Sequence, residues 1–313
     1  MRSRIILAGG NGFLGSLLRD HFCALGWEVV LLTRRPLHRT DGAREVSWDG
    51  ETLGPWAEEL DGATAVVNLC GKTVNCRYTP SNRRLLINSR VKPTRVLGAA
   101  IARCSKPPLV WLNASSATLY KHTFGPAHDE TGETGPTHEA KDAFSIEIIR
   151  QWEDAFFEQP TPHTRKVALR TAMVLGHGSN SVFPVLRRLT RWGLGGRMGS
   201  GRQFVSWIHA YDFCSAILWL IKADAVSGAI NLAAPCPLTN AEMMRQFRAA
   251  CGRPFGLPAE EWMLEVGAFI LRTETELIIK SRRVVPGRLA ASGFTFRFPD
   301  FANALADLMA QEN

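Results

Sequence analysis

Residues 5–15 read Ile5-Ile6-Leu7-Ala8-Gly9-Gly10-Asn11-Gly12-Phe13-Leu14-Gly15, an apolar run that breaks into a glycine-rich turn. The run has the length of a buried strand, and behind the turn Phe13, Leu14, Leu17, Leu18, Phe22 and Leu25 recur at helical spacing. Strand, tight turn and helix start follow. Gly9 can take the positive φ that turns the chain, Gly12 leaves the backbone open to an approaching pyrophosphate, and Gly15 lets the helix lie close to the strand. The anion would meet the N–H groups of the helix start. Gly9, Asn11, Gly12, Phe13, Leu14 and Gly15 are therefore the candidate nucleotide loop. The alternative is a turn that only permits close packing.

The spacing G-x-x-G-x-x-G resembles the short-chain dehydrogenase/reductase superfamily, and AGGNGFLG is similar to the TGGxGFIG of its extended, epimerase-like branch. The resemblance implies an α/β fold, a Rossmann-type doubly wound parallel sheet over residues 1–233. Residues 176–203 would project toward a smaller C-terminal substrate lobe at 234–313. RPFGLPAEEW and VVPGRLAASGFTFRFPDFANAL resemble the C-terminal domain of unknown function found in one subfamily, so the likeness spans nearly the whole chain.

Val29 to Leu32 make a second buried strand that runs into Thr33, Arg34 and Arg35. An acid here would hold a ribose 2′-hydroxyl, whereas arginine accommodates a 2′-phosphate; no acid follows until Asp41, which favours NADP(H). The strand at 65–68 should pass Leu69, Cys70 and Gly71 over the adenosine side. Arg90 lies in a segment similar to the family's N-V-x-G-T, where it could reach phosphate or stay on the surface.

Past the strand Leu109 to Leu112, the segment Ser115-Ser116-Ala117-Thr118-Leu119-Tyr120 is similar to the family's SSATVYG. That likeness implies that Ser116 is the catalytic serine. The family's Tyr-x-x-x-Lys acid/base pair is absent. Four residues after Tyr78, Tyr120 and Tyr211 stand Asn82, Phe124 and Ser215, and alignment on Trp152 and Glu153 puts Ala143 and Glu147 in the two positions. Tyr120 is the nearest phenol and the candidate acid. The function classes left are an NADP(H)-dependent oxidoreductase or epimerase with a different acid, and a non-catalytic NADP(H)-binding sensor or assembly factor.

Lys121 to Lys141 reads as a polar loop. Phe144, Ile148, Trp152 and Phe156 mark a helix whose partner is the helix at 80–102; the resemblance implies that such helices can pair in a homodimer, and a core stripe is the simpler reading. Arg187 and Arg191, one helical turn apart, and Arg202 on a glycine-rich loop are the candidate anchors for an anionic small-molecule substrate, sugar-nucleotide or phosphorylated. The alternative is a solvated cationic face.

With 37 Lys and Arg against 29 Asp and Glu the 313-residue chain carries +8, which suits acidic ligands. No long basic run points to nucleic acid, and no run of about 18 apolar residues points to a membrane span. Seven cysteines without a C-x-x-C pair read as reduced thiols in a cytoplasmic protein with no metal site.

Overall fold

The computed structural model describes residues 3–263, 265 and 276–311. Seven strands form one sheet: β1 (Arg4–Ala8), β2 (Glu28–Thr33), β3 (Ala43–Ser47), β4 (Ala65–Asn68), β5 (Val110–Ser116), β6 (Arg165–Thr171) and, after three short strands, β10 (Gly228–Leu232). The order is β10-β6-β5-β4-β1-β2-β3, and every neighbouring pair is parallel. The fold is therefore the doubly wound Rossmann-type sheet that the sequence predicts. Strand order reverses between β1 and β4, which opens a crevice beyond their carboxyl ends.

Alternation along the strands feeds two apolar layers. Ile5, Leu7, Val29, Leu31 and Val67 pack against Leu18 and Phe22 of α1 (Phe13–Ala24) and Phe213 and Ile217 of α5 (Ala210–Lys222). Ile6, Ala8, Val30, Leu32 and Val66 pack against Val96 and Leu97 of α2 (Pro80–Ile101) and Phe156 of α3 (Ala143–Phe157). Helices α2 and α3 are neighbours. Gly9 has φ +72°, and a Cβ on Gly15 would lie 2.2 Å from the Gly10 carbonyl oxygen. That contact is why only glycine allows α1 to start so close to the turn.

The second core gathers Phe183 and Leu186 of α4 (Val182–Arg191), Trp207, Met244 and Phe247 of α6 (Asn240–Ala250), and Phe301 and Leu305 of the helix Phe301–Ala310. Short strand pairs, β7 (Met173–Leu175) with β9 (Trp207–His209) and β8 (Phe204–Val205) with β11 (Leu238–Thr239), bring this layer to the sheet. Thr239 caps α6 by accepting from the Glu242 N–H. Leu289 and Phe294, although beyond residue 234, pack into the core of the large sheet, so the two cores are interleaved along the chain.

Candidate functional site

A cleft of about 700 Å³ lies over the β1–β4 crevice. Gly9, Asn11, Gly12, Thr33, Arg34, Leu69, Cys70 and Gly71 line it, so residues read separately in the sequence meet there. The glycine loop is fixed from behind: Gly9 N–H donates to the Leu32 carbonyl (3.2 Å) and Asn11 Nδ2 to Thr33 Oγ1 (3.0 Å). Helix α1 begins at Gly12 with no side-chain cap and no acid in its first turn. A Cβ on Gly12 would meet nothing within 4 Å. The positive end of a helix and open backbone form a cradle that fits a pyrophosphate. Phe13 and Leu14 belong to this loop but pack beneath it, against the core.

Arg34 lines both the cleft and a hollow of about 410 Å³ beside it, formed with Ser47, Trp48, Asp49 and Trp56. The acids nearby are committed. Asp41 binds Arg39, Glu51 pairs with Lys92 at 2.8 Å, and Asp49 accepts from the Thr52 hydroxyl and from the Thr52 and Glu51 N–H groups. Those bonds, the Thr52 hydroxyl first, pull the Asp49 carboxyl down to about 2. Arg35 is exposed outside the cleft lining. Burial pushes the Cys70 thiol up to about 12, so it contributes shape rather than thiolate.

Arg90 is a brace. Its guanidinium donates to the carbonyls of Leu86 (3.0 Å) and Lys72 (3.1 Å) and lies 5.2 Å over the Trp152 ring. Desolvation pulls it down to about 10. These bonds hold the β4 exit loop against α2, so of the two readings left open for Arg90 the geometry favours the brace over the phosphate ligand. Below, Asn68 Nδ2 donates to Asn113 Oδ1 and Thr94 Oγ1, and Trp152 Nε1 also donates to Thr94 Oγ1, tying both strand exits to α2 and α3.

Ser116 ends β5, half-buried, with its hydroxyl oxygen accepting from the Thr118 N–H at 3.2 Å. Tyr120 is different. It is 1% exposed, stacks on His128, donates to Asn231 Oδ1 (2.8 Å) and accepts from Arg170 (3.0 Å). Burial raises its pKa. Its hydroxyl is spent inside a network that continues to Glu153, which grips Arg170 with both oxygens and accepts from Ser115. The geometry thus argues against Tyr120 as the acid. Ala143 and Glu147 are exposed on α3.

The candidate substrate arginines separate. Arg187 and Arg191 of α4 lie near Cys251 at the end of α6, where their charges reach its thiol. Arg202 instead sits 5.7 Å over Phe124. The C-terminal segment contributes groups that sequence reading missed: Arg282 Nε donates to Thr118 Oγ1 at 3.0 Å, and Lys280, fully buried, donates to the Thr118 carbonyl and pairs with Asp142. The cue was the basic run Lys280-Ser281-Arg282-Arg283, which carries no motif.

All seven cysteines are free thiols. Among the described residues no group of three His, Cys, Asp or Glu is arranged to hold a metal, and no helix is long and apolar enough to cross a membrane.

Human epimerase family protein SDR39U1 is 31% identical over 98% of this chain and all of its own length. A Mycobacterium leprae epimerase family protein, ML0860, is 31% identical over 96% of this chain and 94% of its own. The crystal structure of human SDR39U1 (isoform 2) with NADPH superposes with a TM-score of 0.85 at 30% identity, covering 98% of this chain and 99% of that one. That of a nucleoside-diphosphate sugar epimerase from Corynebacterium glutamicum has a TM-score of 0.76 at 26% identity, covering 99% of this chain and 59% of that one. A domain of unknown function, DUF1731, matches residues 261–308. The model of the NAD dependent epimerase/dehydratase family matches residues 5–233, and with the glycine cradle, the parallel sheet and these relatives it establishes that the chain belongs to that family.

Proposed function

We propose that this chain binds NADP(H) in the β1–β4 cleft and acts as an oxidoreductase or epimerase on an anionic substrate at Ser116. Arg34 carries the reading: it is a cation lining a cleft whose acids are already bonded elsewhere, so a 2′-phosphate finds a partner and a bare 2′-hydroxyl does not. The NADPH in the human relative supports the same cofactor. The sugar-nucleotide chemistry named for the Corynebacterium relative supports a sugar-nucleotide or phosphorylated substrate.

NADP(H) supplies hydride transfer at its nicotinamide. Ser116 holds a substrate carbonyl or hydroxyl through its O–H, while the Asn68–Asn113–Thr94 bonds keep the strand exits in place. The Tyr-x-x-x-Lys pair is missing from the sequence, and a positioned acid/base contributes ~10² to 10⁴ in rate, so turnover is slow. The same absence favours a second reading, a non-catalytic NADP(H) sensor or assembly factor. Pairing of two copies through α2 and α3, and a reducing compartment such as the cytoplasm for the seven thiols, belong to the proposal as well.

Mass spectrometry of small molecules retained on purification, followed by NADPH oxidation across a panel of carbonyl substrates, tests it. Retained NADP(H) with slow turnover that Ser116→Ala abolishes supports the enzyme. Tight NADPH binding with no turnover supports the sensor, and retained NAD(H) alone overturns the cofactor assignment.

A further inference from the structure

The loop that leaves β4 runs past Gly71 and Lys72 in the cleft lining and brings one of the chain's three tyrosines, Tyr78, against the start of α3. Its half-buried ring stands edge-on to Phe144 with centroids 4.8 Å apart, and its hydroxyl lies 3.3 Å from Ser145 Oγ. Ile146, the next residue of α3, packs with Ile149 on Leu119 in the turn just past Ser116. On the other side Tyr78 packs with Leu86 of α2, whose chain neighbour Leu85 lines the cleft. The phenol therefore sits between the first turn of α3, the turn that follows Ser116, and the cleft wall.

Arg90 is a cation without an acid of its own. Among the described residues its hydrogen bonds go to neutral oxygens alone, the carbonyls of Leu86 and Lys72 and, at 3.4 Å, the Ser89 hydroxyl. Its guanidinium lies over Trp152 and is pressed against the cleft wall, where a Cβ on Gly71 would stand 3.2 Å from Arg90 Cζ. A desolvated charge with no counter-ion favours any negative charge that forms close by. The groups whose ionisation its field reaches are Tyr78 first and then Cys76. Arg83 of α2 adds a second cation: its Nε donates to the Tyr78 carbonyl at 3.0 Å and its guanidinium lies 4.4 Å over Phe144. Arg77 precedes Tyr78 in the loop. From α3 the neutral Ser145 and Phe144 face the phenol, while Glu147 is exposed and accepts from Gln151 at 3.0 Å.

We infer that Tyr78 is the acid/base of the site, carried on the β4–α2 loop instead of α3, and that Arg90 is the positioning cation that stabilises its phenolate. This rests on the proposed oxidoreductase reading. In the reducing direction hydride adds to the substrate carbonyl carbon, the C=O electron pair moves onto oxygen, and the Tyr78 proton follows it there while the Ser116 O–H holds that oxygen. Water then returns a proton to the phenolate. Arg90 thereby takes the part that lysine plays in a Tyr-x-x-x-Lys pair, a fixed positive charge that makes phenolate accessible near neutral pH. The Tyr78 hydroxyl is shared with Ser145, so the gap left by the missing pair is narrowed and not closed.

One test needs neither cofactor nor substrate: titration of the purified protein followed by phenolate absorbance, which three tyrosines make readable. Burial holds Tyr120 above the ordinary tyrosine value of about 10. The lowest step should fall below about 10, vanish in Tyr78→Phe and persist in Tyr211→Phe. Arg90→Lys, which keeps the charge, should retain that step, and Arg90→Met should move it up by about one pH unit or more; the Tyr78 variant decides if the methionine variant does not fold. In NADPH oxidation with a carbonyl substrate, Tyr78→Phe should lower kcat about tenfold to a hundredfold, the lower reach of what a positioned acid contributes, with NADPH affinity unchanged. The inference is overturned if no phenol ionises below about 10 or if the lowest step survives Tyr78→Phe. Wild-type turnover in Tyr78→Phe overturns this inference alone, whereas a wild type that turns over no carbonyl substrate overturns the oxidoreductase reading and the catalytic role with it.

Discussion

Replacing Arg34 with glutamine removes the one cation among the described residues that lines both the cofactor cleft and the hollow beside it. Glutamine keeps a polar side chain but loses the charge and the planar fork that matches a phosphate. Hydrogen bonds to charged groups are worth roughly 1.5 to 3 kcal/mol, which is about 10- to 150-fold in affinity. Arg34 is exposed, and solvent screening moves the expectation to the lower part of that range, roughly 10- to 30-fold. NADH lacks the 2′-phosphate and should bind wild type and variant within about threefold of each other. Arg35 lies outside the lining, so Arg35→Gln should cost NADPH less than Arg34→Gln does. Calorimetric titration of NADPH and NADH into the three proteins at fixed ionic strength measures all six affinities. Equal losses for both nucleotides would mean that Arg34 supports the fold of the cleft rather than the phosphate. An unchanged NADPH affinity would refute the electrostatic reasoning altogether.

Gly15→Ala places a methyl group 2.2 Å from the Gly10 carbonyl oxygen, so α1 must shift; NADPH binding should be lost, and urea unfolding should show destabilisation of about 2 kcal/mol or more. Wild-type affinity in that variant would show that the loop tolerates movement. Tyr120→Phe strips a hydroxyl from Asn231 and Arg170 and should cost about 1 to 3 kcal/mol in the same assay while leaving any turnover within a few-fold of wild type. Loss of turnover at unchanged stability would restore Tyr120 as the acid. Burial lowers His209 to about 4, against the opposing field of Asp307. The folded chain then binds fewer protons than the unfolded chain between that value and 6.5. Stability from this group is complete above about pH 6.5 and falls by up to about 3 kcal/mol as the pH drops toward 4. His209→Gln should flatten the pH dependence of unfolding in that window, and an unaltered slope counts against it.

Much of this protein is written in local pattern. The run Ile5 to Ala8 ahead of Gly9, Gly12 and Gly15 determined the first strand, the turn and the helix, because each glycine answers a backbone constraint set within a few residues. Thr33, Arg34 and Leu69 to Gly71 were legible as cleft residues for a related reason: in a parallel sheet, strand ends fall on one side, so their exits meet whatever the loops do. The missing Tyr-x-x-x-Lys pair is likewise a fact of sequence.

What only the tertiary structure decided is where the polar side chains are spent. Tyr120 reads as the nearest phenol to Ser116, yet its hydroxyl is used by Asn231, 111 positions away, and by Arg170 on β6. Arg90, which the sequence left between phosphate and surface, donates to the carbonyls of Leu86 and Lys72. Arg187, Arg191 and Arg202 read as one basic group, but α4 carries the first two toward Cys251 while the loop lays the third on Phe124. Arg282 carried no local signal, and it reaches Thr118 across 164 positions only because residues 281–283 lace through two other loops. A hydrogen-bonding side chain has a few short bonds to give, and which partner takes them depends on the atoms that folding brings within about 3 Å, which spacing along the chain does not encode.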